Sequence, residues 1–275
     1  MPAEPPPARS ATNARRLAAL RRRAGARCPP RDLALAIPGL PETLPIALPA
    51  DPEAALDELA ARQRRSAPLE HAPLPATTAA EEARGAIAAG THMPYWALLW
   101  PSGLALAEAL AAAPESVRGR RVLELGCGLG VTAAVALRLG ARLWAADCFA
   151  EALLYCQYNA LRCAGRLPRS VLVDWRTARG RRVCQRLAPF DLVLAADVLY
   201  EPEDIAPLLA LLPTLLAPGG AGWLAEPGRH ASKSFVAAAA RAGWHDQPTI
   251  YDRTWPPDGK PARVTLHRYT RLAST

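Results

Sequence analysis

Apolar segments of two kinds alternate along residues 95–245. Short apolar runs bounded by turn residues predict buried strands, and longer stretches rich in alanine and leucine predict helices. Strands are predicted at 122–125, 141–146, 170–173, 190–196 and 223–225, and helices at 104–113, 131–139, 149–164, 205–216 and 232–242. This alternation predicts an α/β fold, with a doubly wound, largely parallel sheet covered by helices on both faces.

Extended segments replace this pattern near the end of the chain. Residues 246–255 and 262–271 flank the turn-rich sequence Pro-Pro-Asp-Gly-Lys. Two such segments around a turn predict an antiparallel C-terminal hairpin. Upstream, Pro218-Gly219-Gly220 is expected to end a helix before the fifth strand begins.

The first 75 residues are rich in proline, alanine and arginine and lack the alternation. Residues 13–23 predict a basic helix, whereas the prolines within 31–49 predict an extended segment. Asp51 and Pro52 are the residue types found at the N-cap and first position of a helix, so a short helix is predicted to run from there to about Arg65.

The sequence from Glu124 to Gly130 is the most informative motif of the chain. Gly126, Gly128 and Gly130 alternate between a predicted strand and a predicted helix. Glycines there let the backbone approach a ligand, and the helix N-terminus beyond them presents unpaired N–H groups. Packing alone can also select glycine, so the turn by itself is weak evidence. The dinucleotide-binding fingerprint requires a glycine where this chain has Val131.

Acidic residues follow the next predicted strands. Asp147 ends the second strand, where its two oxygens suit ribose hydroxyls; it can also cap the following helix, and both roles are compatible. Asp174-Trp175 follows the third strand and offers an acceptor for an adenine amino group and a ring for stacking, although this aspartate can equally be a cap. Asp197 and Tyr200 follow the fourth strand, at the sheet edge where active sites of open α/β folds lie.

The Glu-x-Gly-x-Gly-x-Gly motif resembles that of class I S-adenosylmethionine methyltransferases. Pro94-Tyr95-Trp96-Ala97 with Trp100, Asp174-Trp175 and Asp197-x-x-Tyr200 are similar to the family 16 protein methyltransferases. Within that family, the chain is most similar to the electron-transfer-flavoprotein β-subunit lysine methyltransferase group. The resemblance covers about residues 90–272 and implies the seven-stranded, Rossmann-like methyltransferase sheet with a reversed last strand.

The resemblance also implies a cofactor and a set of site residues. The cofactor is S-adenosylmethionine, and no metal is expected. Asp197 would orient the acceptor amine and Tyr200 would wall the acceptor channel as the catalytic pair, while Trp96 is expected in the core. The residues expected to contact the cofactor are Trp100, Glu124, Gly126, Cys127, Gly128, Gly130, Asp147, Asp174, Trp175 and Ala196.

Three functions remain open for such a chain. The leading interpretation is methylation of a lysine side chain on a protein. A small N-heterocycle of the nicotinamide type is a second acceptor class, and a non-catalytic cofactor-binding module is a third possibility. Met93 replaces the lead-in common in the family, which leaves the exact substrate open.

A linker at 68–75 is taken to divide the chain into an N-terminal extension, 1–75, and a methyltransferase domain, 76–275. Because every cofactor motif lies beyond residue 75, the extension is expected to tune the acceptor.

Composition narrows the classes of partner. The net charge is +8, but the arginines lie in scattered short runs, so a solvated surface is favoured over nucleic-acid binding. Six cysteines without a Cys-x-x-Cys pair indicate reduced thiols in a cytoplasmic protein, and none is needed as a nucleophile. No apolar run is long enough to predict a membrane span, and a monomer is favoured.

Overall fold

Strands and helices alternate in the computed structural model, which describes residues 11–26, 28–55, 57–58, 61 and 95–271. The strands are β1 Pro30–Leu35, β2 Leu44–Pro49, β3 Arg121–Leu125, β4 Arg142–Asp147, β5 Arg169–Leu172, β6 Phe190–Ala196, β7 Leu216–Glu226, β8 Trp244–Asp246, β9 Thr249–Trp255 and β10 Lys260–Arg271. The helices are α1 Ala11–Gly25, α2 Pro101–Ala112, α3 Val131–Arg138, α4 Ala150–Ala164, α5 Ala178–Leu187, α6 Ile205–Leu215 and α7 His230–Arg241.

The main sheet has the order β5-β4-β3-β6-β7-β10, with β8 and β9 on the outer edge of β10. Strands β3 to β7 pair in parallel, and β10 runs antiparallel to β7. Both β8 and β9 pair with the side of β10 away from β7, so together they occupy one interrupted edge position. The sheet therefore has seven positions with a reversed strand, and the predicted doubly wound fold with its C-terminal hairpin is confirmed.

Two predicted boundaries are wrong. Strand β7 begins at Leu216, directly after α6, so Pro218-Gly219-Gly220 lies inside the strand and does not form a loop before it. The register with β6 shifts between Phe190 and Leu192, which accommodates this irregular start. The segment predicted as one strand from 246 to 255 is split, because pairing with β10 is interrupted at 247–248.

Side chains on alternate strand positions enter two apolar layers. Val122 and the neighbouring positions of the other strands pack under α2, α3 and α4. Leu123 and Leu125 pack on the opposite face, under α5, α6 and α7. Because side chains of a strand point alternately to its two faces, Glu124 lies on the first face together with Val122. Its carboxylate is therefore buried under α3.

The described part of the N-terminal extension packs against α4. Strands β1 and β2 form the antiparallel pair that the extended pattern predicts, and α1 is the predicted basic helix. Leu20 and Leu48 lie in one buried cluster with Tyr155 of α4. Asp51 accepts a hydrogen bond from the Ala54 N–H, as an N-cap does, but most of the predicted helix to Arg65 and the whole linker lie outside the described residues.

Asn159 of α4 joins this extension to the glycine turn. Its Oδ1 accepts from the Ala47 N–H at 2.7 Å, and its Nδ2 donates to the carbonyls of Ala47 and Leu129 at 2.8 Å each. The side chain is fully buried. A buried backbone group without a partner is costly, so this one amide fixes β2 and the turn relative to each other.

A buried acid–histidine–acid chain spans the antiparallel end of the sheet. His267 Nδ1 lies 2.6 Å from Asp246 Oδ2, and Nε2 lies 3.5 Å from Glu226 Oε1. Burial lowers the pKa of His267, but the hydrogen bonds and charges of the two carboxylates outweigh it and raise the pKa to about 9. The imidazolium therefore stabilises the folded state near neutral pH.

We predict that Asn159→Ala lowers the free energy of unfolding by about 2–4 kcal/mol, because it leaves buried backbone groups without partners. Urea titration measures the change. Gln157→Ala is the matched control on the same helix, since it removes one partly buried bond to Ser170. Equal losses in the two variants would contradict the special role of Asn159.

We predict that stability falls as pH rises from 6.5 to about 9, because the folded state then loses the His267 proton that the unfolded chain has already lost. The measurement is urea unfolding across this window for the parent and His267→Gln, whose slope should be flatter. His245→Gln, at an exposed position of the neighbouring strand, should keep the parental slope. A parental slope in His267→Gln would refute the assignment.

Candidate active site

The glycine turn follows β3 in a left-handed backbone path. Gly126, Gly128 and Gly130 have φ of 69°, 48° and 75°. A Cβ on Gly126 would lie 2.9 Å from Val198 Cγ1, and one on Gly130 would lie 2.6 Å from the Cys156 Cα. The glycines at the two ends of the turn are therefore required by packing as well as by φ.

Asp147 lies beneath this turn at the end of β4. Its Oδ2 accepts from the Gly128 N–H and its Oδ1 from the Phe149 N–H, both at 3.0 Å. Burial raises the pKa of this carboxyl to about 6, although these backbone bonds oppose the shift. Each carboxylate oxygen has two lone pairs, so Asp147 can support the turn and the start of α4 and still accept hydroxyl groups.

Glu124 is a buried carboxyl with an unused acceptor. It is 2% exposed, and its Oε2 has no hydrogen-bond partner among the described residues. Burial raises its pKa to about 8, against the opposing bonds of Thr132 and the Ala133 backbone. A cationic donor placed near such an atom would satisfy it.

Asp174 and Trp175 follow β5, as predicted, but their side chains differ in exposure. Asp174 is partly exposed and accepts from Arg176, whose Nε lies 2.7 Å from Oδ1. Trp175 is buried in the apolar layer under α5 and α6, and the Arg176 guanidinium lies 6.0 Å from its ring centroid. The structure therefore places this indole among core side chains.

Asp197 follows Ala196 at the end of β6 and has φ of 51°, the one positive value among described residues other than glycine. It is 3% exposed, and its two oxygens accept from Nε and Nη2 of Arg229 at 2.7 and 3.0 Å. The next helical segment is capped by Glu201 and Asp204. The Asp197 carboxylate therefore pairs with an arginine and does not cap that segment.

Three aromatic rings contact one another on the Arg229 side of this ion pair, and two of them face the guanidinium. We call Tyr95, Trp100 and Tyr200 the aromatic cluster. Tyr95 stacks on Tyr200 with centroids 5.4 Å apart and meets Trp100 edge to face at 5.9 Å. The Arg229 guanidinium lies 5.1 Å from the Tyr200 centroid and 5.8 Å from that of Trp100. Trp96, by contrast, is buried, as expected.

The loops after β3 and β6 meet at one edge of the sheet. Gly126 packs against Val198, and a Cβ on Gly128 would lie 3.6 Å from the Trp96 carbonyl oxygen. Cys127 is buried within the turn. The glycine turn therefore contacts both the segment that carries Trp100 and the segment that carries Tyr200.

Arg229 is the site residue that the sequence pattern did not single out. It follows β7, whose neighbour in the sheet is β6, so its position beyond a strand end was the available signal. Its pairing with Asp197 across the sheet edge identifies it as a site residue, and this pairing cannot be read from the linear sequence.

Sequence relatives are methyltransferases of protein substrates. The chain is 37% identical over 123 residues to the electron transfer flavoprotein beta subunit lysine methyltransferase of Rattus norvegicus, covering 43% of this chain and 44% of the relative. The Xenopus laevis protein of the same name is 33% identical over 163 residues, 57% of each chain. The histone-arginine methyltransferase METTL23 of Mus musculus is 30% identical over 121 residues, 43% of this chain and 47% of the relative. The chain thus matches about half the length of these relatives.

The residues at the sheet edge fit S-adenosylmethionine. Glu124 has a buried acceptor without a described partner, which suits the ammonium of the methionine part. Asp147 keeps lone pairs for ribose hydroxyls. Among the residues described, no three His, Cys, Asp or Glu side chains are grouped as metal ligands would be. No helix in the described ranges is long and apolar enough to cross a membrane.

The profile of a family described as lysine methyltransferase matches residues 90–240, more than half of the chain. The cofactor of this family is S-adenosylmethionine, so that expectation is confirmed. The sheet order and the ordered motifs agree with this match. The chain therefore belongs to the lysine methyltransferase family.

Proposed function

We propose that this protein transfers a methyl group from S-adenosylmethionine to a lysine side chain of a protein. The observation that supports this most directly is a site built for a cation beside the glycine turn. A buried carboxylate, Asp197, and aromatic faces of Trp100 and Tyr200 converge on one positive group. An unmethylated lysine approaches as such a cation, since its usual pKa is ~10.4.

The cofactor when bound supplies an activated methyl group on a sulfonium. We assign its methionine part to Glu124 and the glycine turn, including Cys127, and its ribose to Asp147. Asp174 and Trp175 are assigned to the adenine side and Ala196 to the edge nearest the acceptor. Because Trp175 is buried, its contribution is shape and support of that pocket.

The acceptor nitrogen must lose its proton before it reacts. Neutralising a lysine of pKa ~10.4 at pH 7 costs about 4.6 kcal/mol. Holding the nitrogen in line with the donor carbon can lower the barrier by roughly 7–11 kcal/mol, so positioning outweighs this cost. We assign the positioning to Asp197 and the wall of the channel to Tyr200. Burial raises the pKa of the Tyr200 phenol, so it stays protonated and cannot accept the proton of the amine.

Other acceptors fit this site less well. A neutral nicotinamide-type ring has no positive charge to offer Asp197. An arginine acceptor has the right charge, and a relative is named as a histone-arginine methyltransferase, so arginine is the second candidate. A non-catalytic cofactor-binding module would not require the buried Asp197 carboxylate beside the glycine turn.

We also propose that residues 1–75 form an accessory region and 76–275 the methyltransferase domain of a cytoplasmic protein. The described part of the accessory region packs on α4, and none of the residues assigned to the cofactor lies within it, which supports a role in acceptor choice. Calorimetry with S-adenosylhomocysteine on Asn159→Ala tests the division. Affinity close to the parental value supports it, and a large loss would show that the accessory region also supports the cofactor turn.

Lysate incubated with labelled S-adenosylmethionine tests the acceptor class, with nicotinamide in a parallel reaction. Label in protein bands, located on lysine by mass spectrometry, is the expected outcome. Label in the small molecule alone, or in neither reaction, would overturn the proposal.

We predict that Asp197→Asn lowers kcat by about a hundredfold, the scale on which misplacing a reacting group acts. S-adenosylhomocysteine affinity should be retained, because the assigned cofactor contacts remain. Asp191→Asn is the matched control, since Asp191 lies at the opposite end of β6 and accepts from the Arg121 N–H. Parental turnover by Asp197→Asn would show that the carboxylate does not position the acceptor.

We predict that S-adenosylhomocysteine binds more weakly as pH falls below about 6, because protonation of Asp147 removes an acceptor of ribose hydroxyls. Above that pH the affinity contributed by this group should be constant. Calorimetry on the parent and Asp147→Asn isolates the effect, since the variant should bind weakly without this dependence. Identical pH profiles would contradict the assigned role.

A further inference from the structure

Arg229 fills the site in which the proposed acceptor would be placed. We call the aromatic cluster together with Asp197 the cation cage. The guanidinium donates two hydrogen bonds to Asp197 and lies over the rings of Tyr200 and Trp100. The pair with Asp197 raises the pKa of Arg229, so the group is a permanent cation.

The two partners of this ion pair differ sharply in exposure. The Asp197 side chain is 3% exposed and the Arg229 side chain is 33% exposed. A buried carboxylate without a partner is costly, whereas a long arginine side chain can reach solvent by rotating its own torsions. Asp197 therefore requires a cationic partner, and Arg229 is the member of the pair whose side chain can move into solvent.

We infer that Arg229 is an intramolecular stand-in for the cationic side chain of the acceptor, and that it is displaced when the acceptor enters the cage. This rests on the proposed function. One cation replaces another, so Asp197 keeps a cationic partner during the exchange and the charge inside the cage does not change at that step. The rings attract the incoming cation as they attract the guanidinium.

Arg229 is thereby a specificity-determining residue. A neutral molecule that displaced it would leave Asp197 buried and unpaired, and this cost excludes neutral acceptors. An alkylammonium or alkylguanidinium group meets the requirement. Selection by charge thus takes place before the nitrogen is positioned and loses its proton.

The backbone around Arg229 allows the exchange without a change of fold. Gly228, with φ of 86°, precedes it, and a Cβ there would have nothing within 4 Å. Helix α7 begins at the next residue, His230, so the Arg229 backbone stays fixed while its side chain turns outward.

Thermal unfolding of Arg229→Ala with n-butylammonium chloride tests the inference at constant ionic strength, with n-butanol as the neutral probe. A ligand of the emptied cage raises Tm, and we expect half of the maximal rise at a concentration at least about tenfold lower than in the parent. n-Butylguanidinium is tested in parallel, and the stronger of the two cations indicates whether lysine or arginine fits. Asp197→Asn placed in the Arg229→Ala background should abolish the response.

Arg253→Ala is the matched control. Arg253 also pairs with a carboxylate, Glu108, and lies over the rings of Trp255 and Tyr251, but outside the cage. It should respond as the parent does. Arg229→Gln serves if Arg229→Ala does not fold, since glutamine can still donate to Asp197 but carries no charge.

Equal responses of the parent and the Arg229 variants, or a response to n-butanol equal to that of the cations, would overturn the inference. Its failure is separate from failure of the proposed function. If the parent protein leaves the lysate proteins unlabelled, lysine methylation is refuted. If the parent labels protein but the Arg229 variants respond to neither cation, only the stand-in role is refuted.

Discussion

The burial of three carboxyl groups at the carboxyl edge of the sheet is the constraint on which the site depends. Parallel strands β3, β4 and β6 bring Glu124, Asp147 and Asp197 to one side of the fold, and none is more than 6% exposed. Ionised carboxyl groups are costly to remove from water unless they find partners. Each of the three meets this cost in a different way.

The three carboxyl groups differ in how their burial is compensated. Glu124 has a raised pKa, which favours its neutral form, and one oxygen without a described partner. Asp147 is held by backbone N–H groups of the turn and of α4, so it is already in position. Asp197 relies on an arginine from the adjacent strand end. Under the function that we propose, Glu124 and Asp147 are assigned to the cofactor and Asp197 to the acceptor.

The glycine turn directly contacts the loop after β6 and the segment that precedes Trp100. Gly126 packs on Val198 of the loop after β6, and Gly128 lies close to Trp96, just before Trp100. A larger side chain at Gly126 would push the two loops apart. On the other flank, Asn159 connects the turn through Leu129 to β2 of the extension. The turn is therefore held by the loop after β6, by the segment around Trp96 and by the β1–β2 pair of the extension.

The local sequence pattern was sufficient to predict the alternating strands and helices and the polar residues at the ends of strands. Strand β6 matches its predicted bounds, because a continuous apolar run between turn residues has few other solutions. The glycine motif and Asp147 were readable for the same reason, since strand ends of a parallel sheet share one edge. The entry of Pro218-Gly219-Gly220 into β7 was not readable, because pairing with β6 overrides the local tendency to turn.

The amino-acid sequence by itself determined the α/β class, the glycine turn and the identity of the carboxyl groups near it. Tertiary structure alone decided that Arg229 pairs with Asp197, that Trp175 is buried and that Asn159 joins the extension to the turn. These pairs are separated by tens of residues or more along the chain. Hydrophobic periodicity and turn chemistry report neighbours along the chain, whereas the partner of a buried charge or amide is set by which strand ends the fold brings side by side.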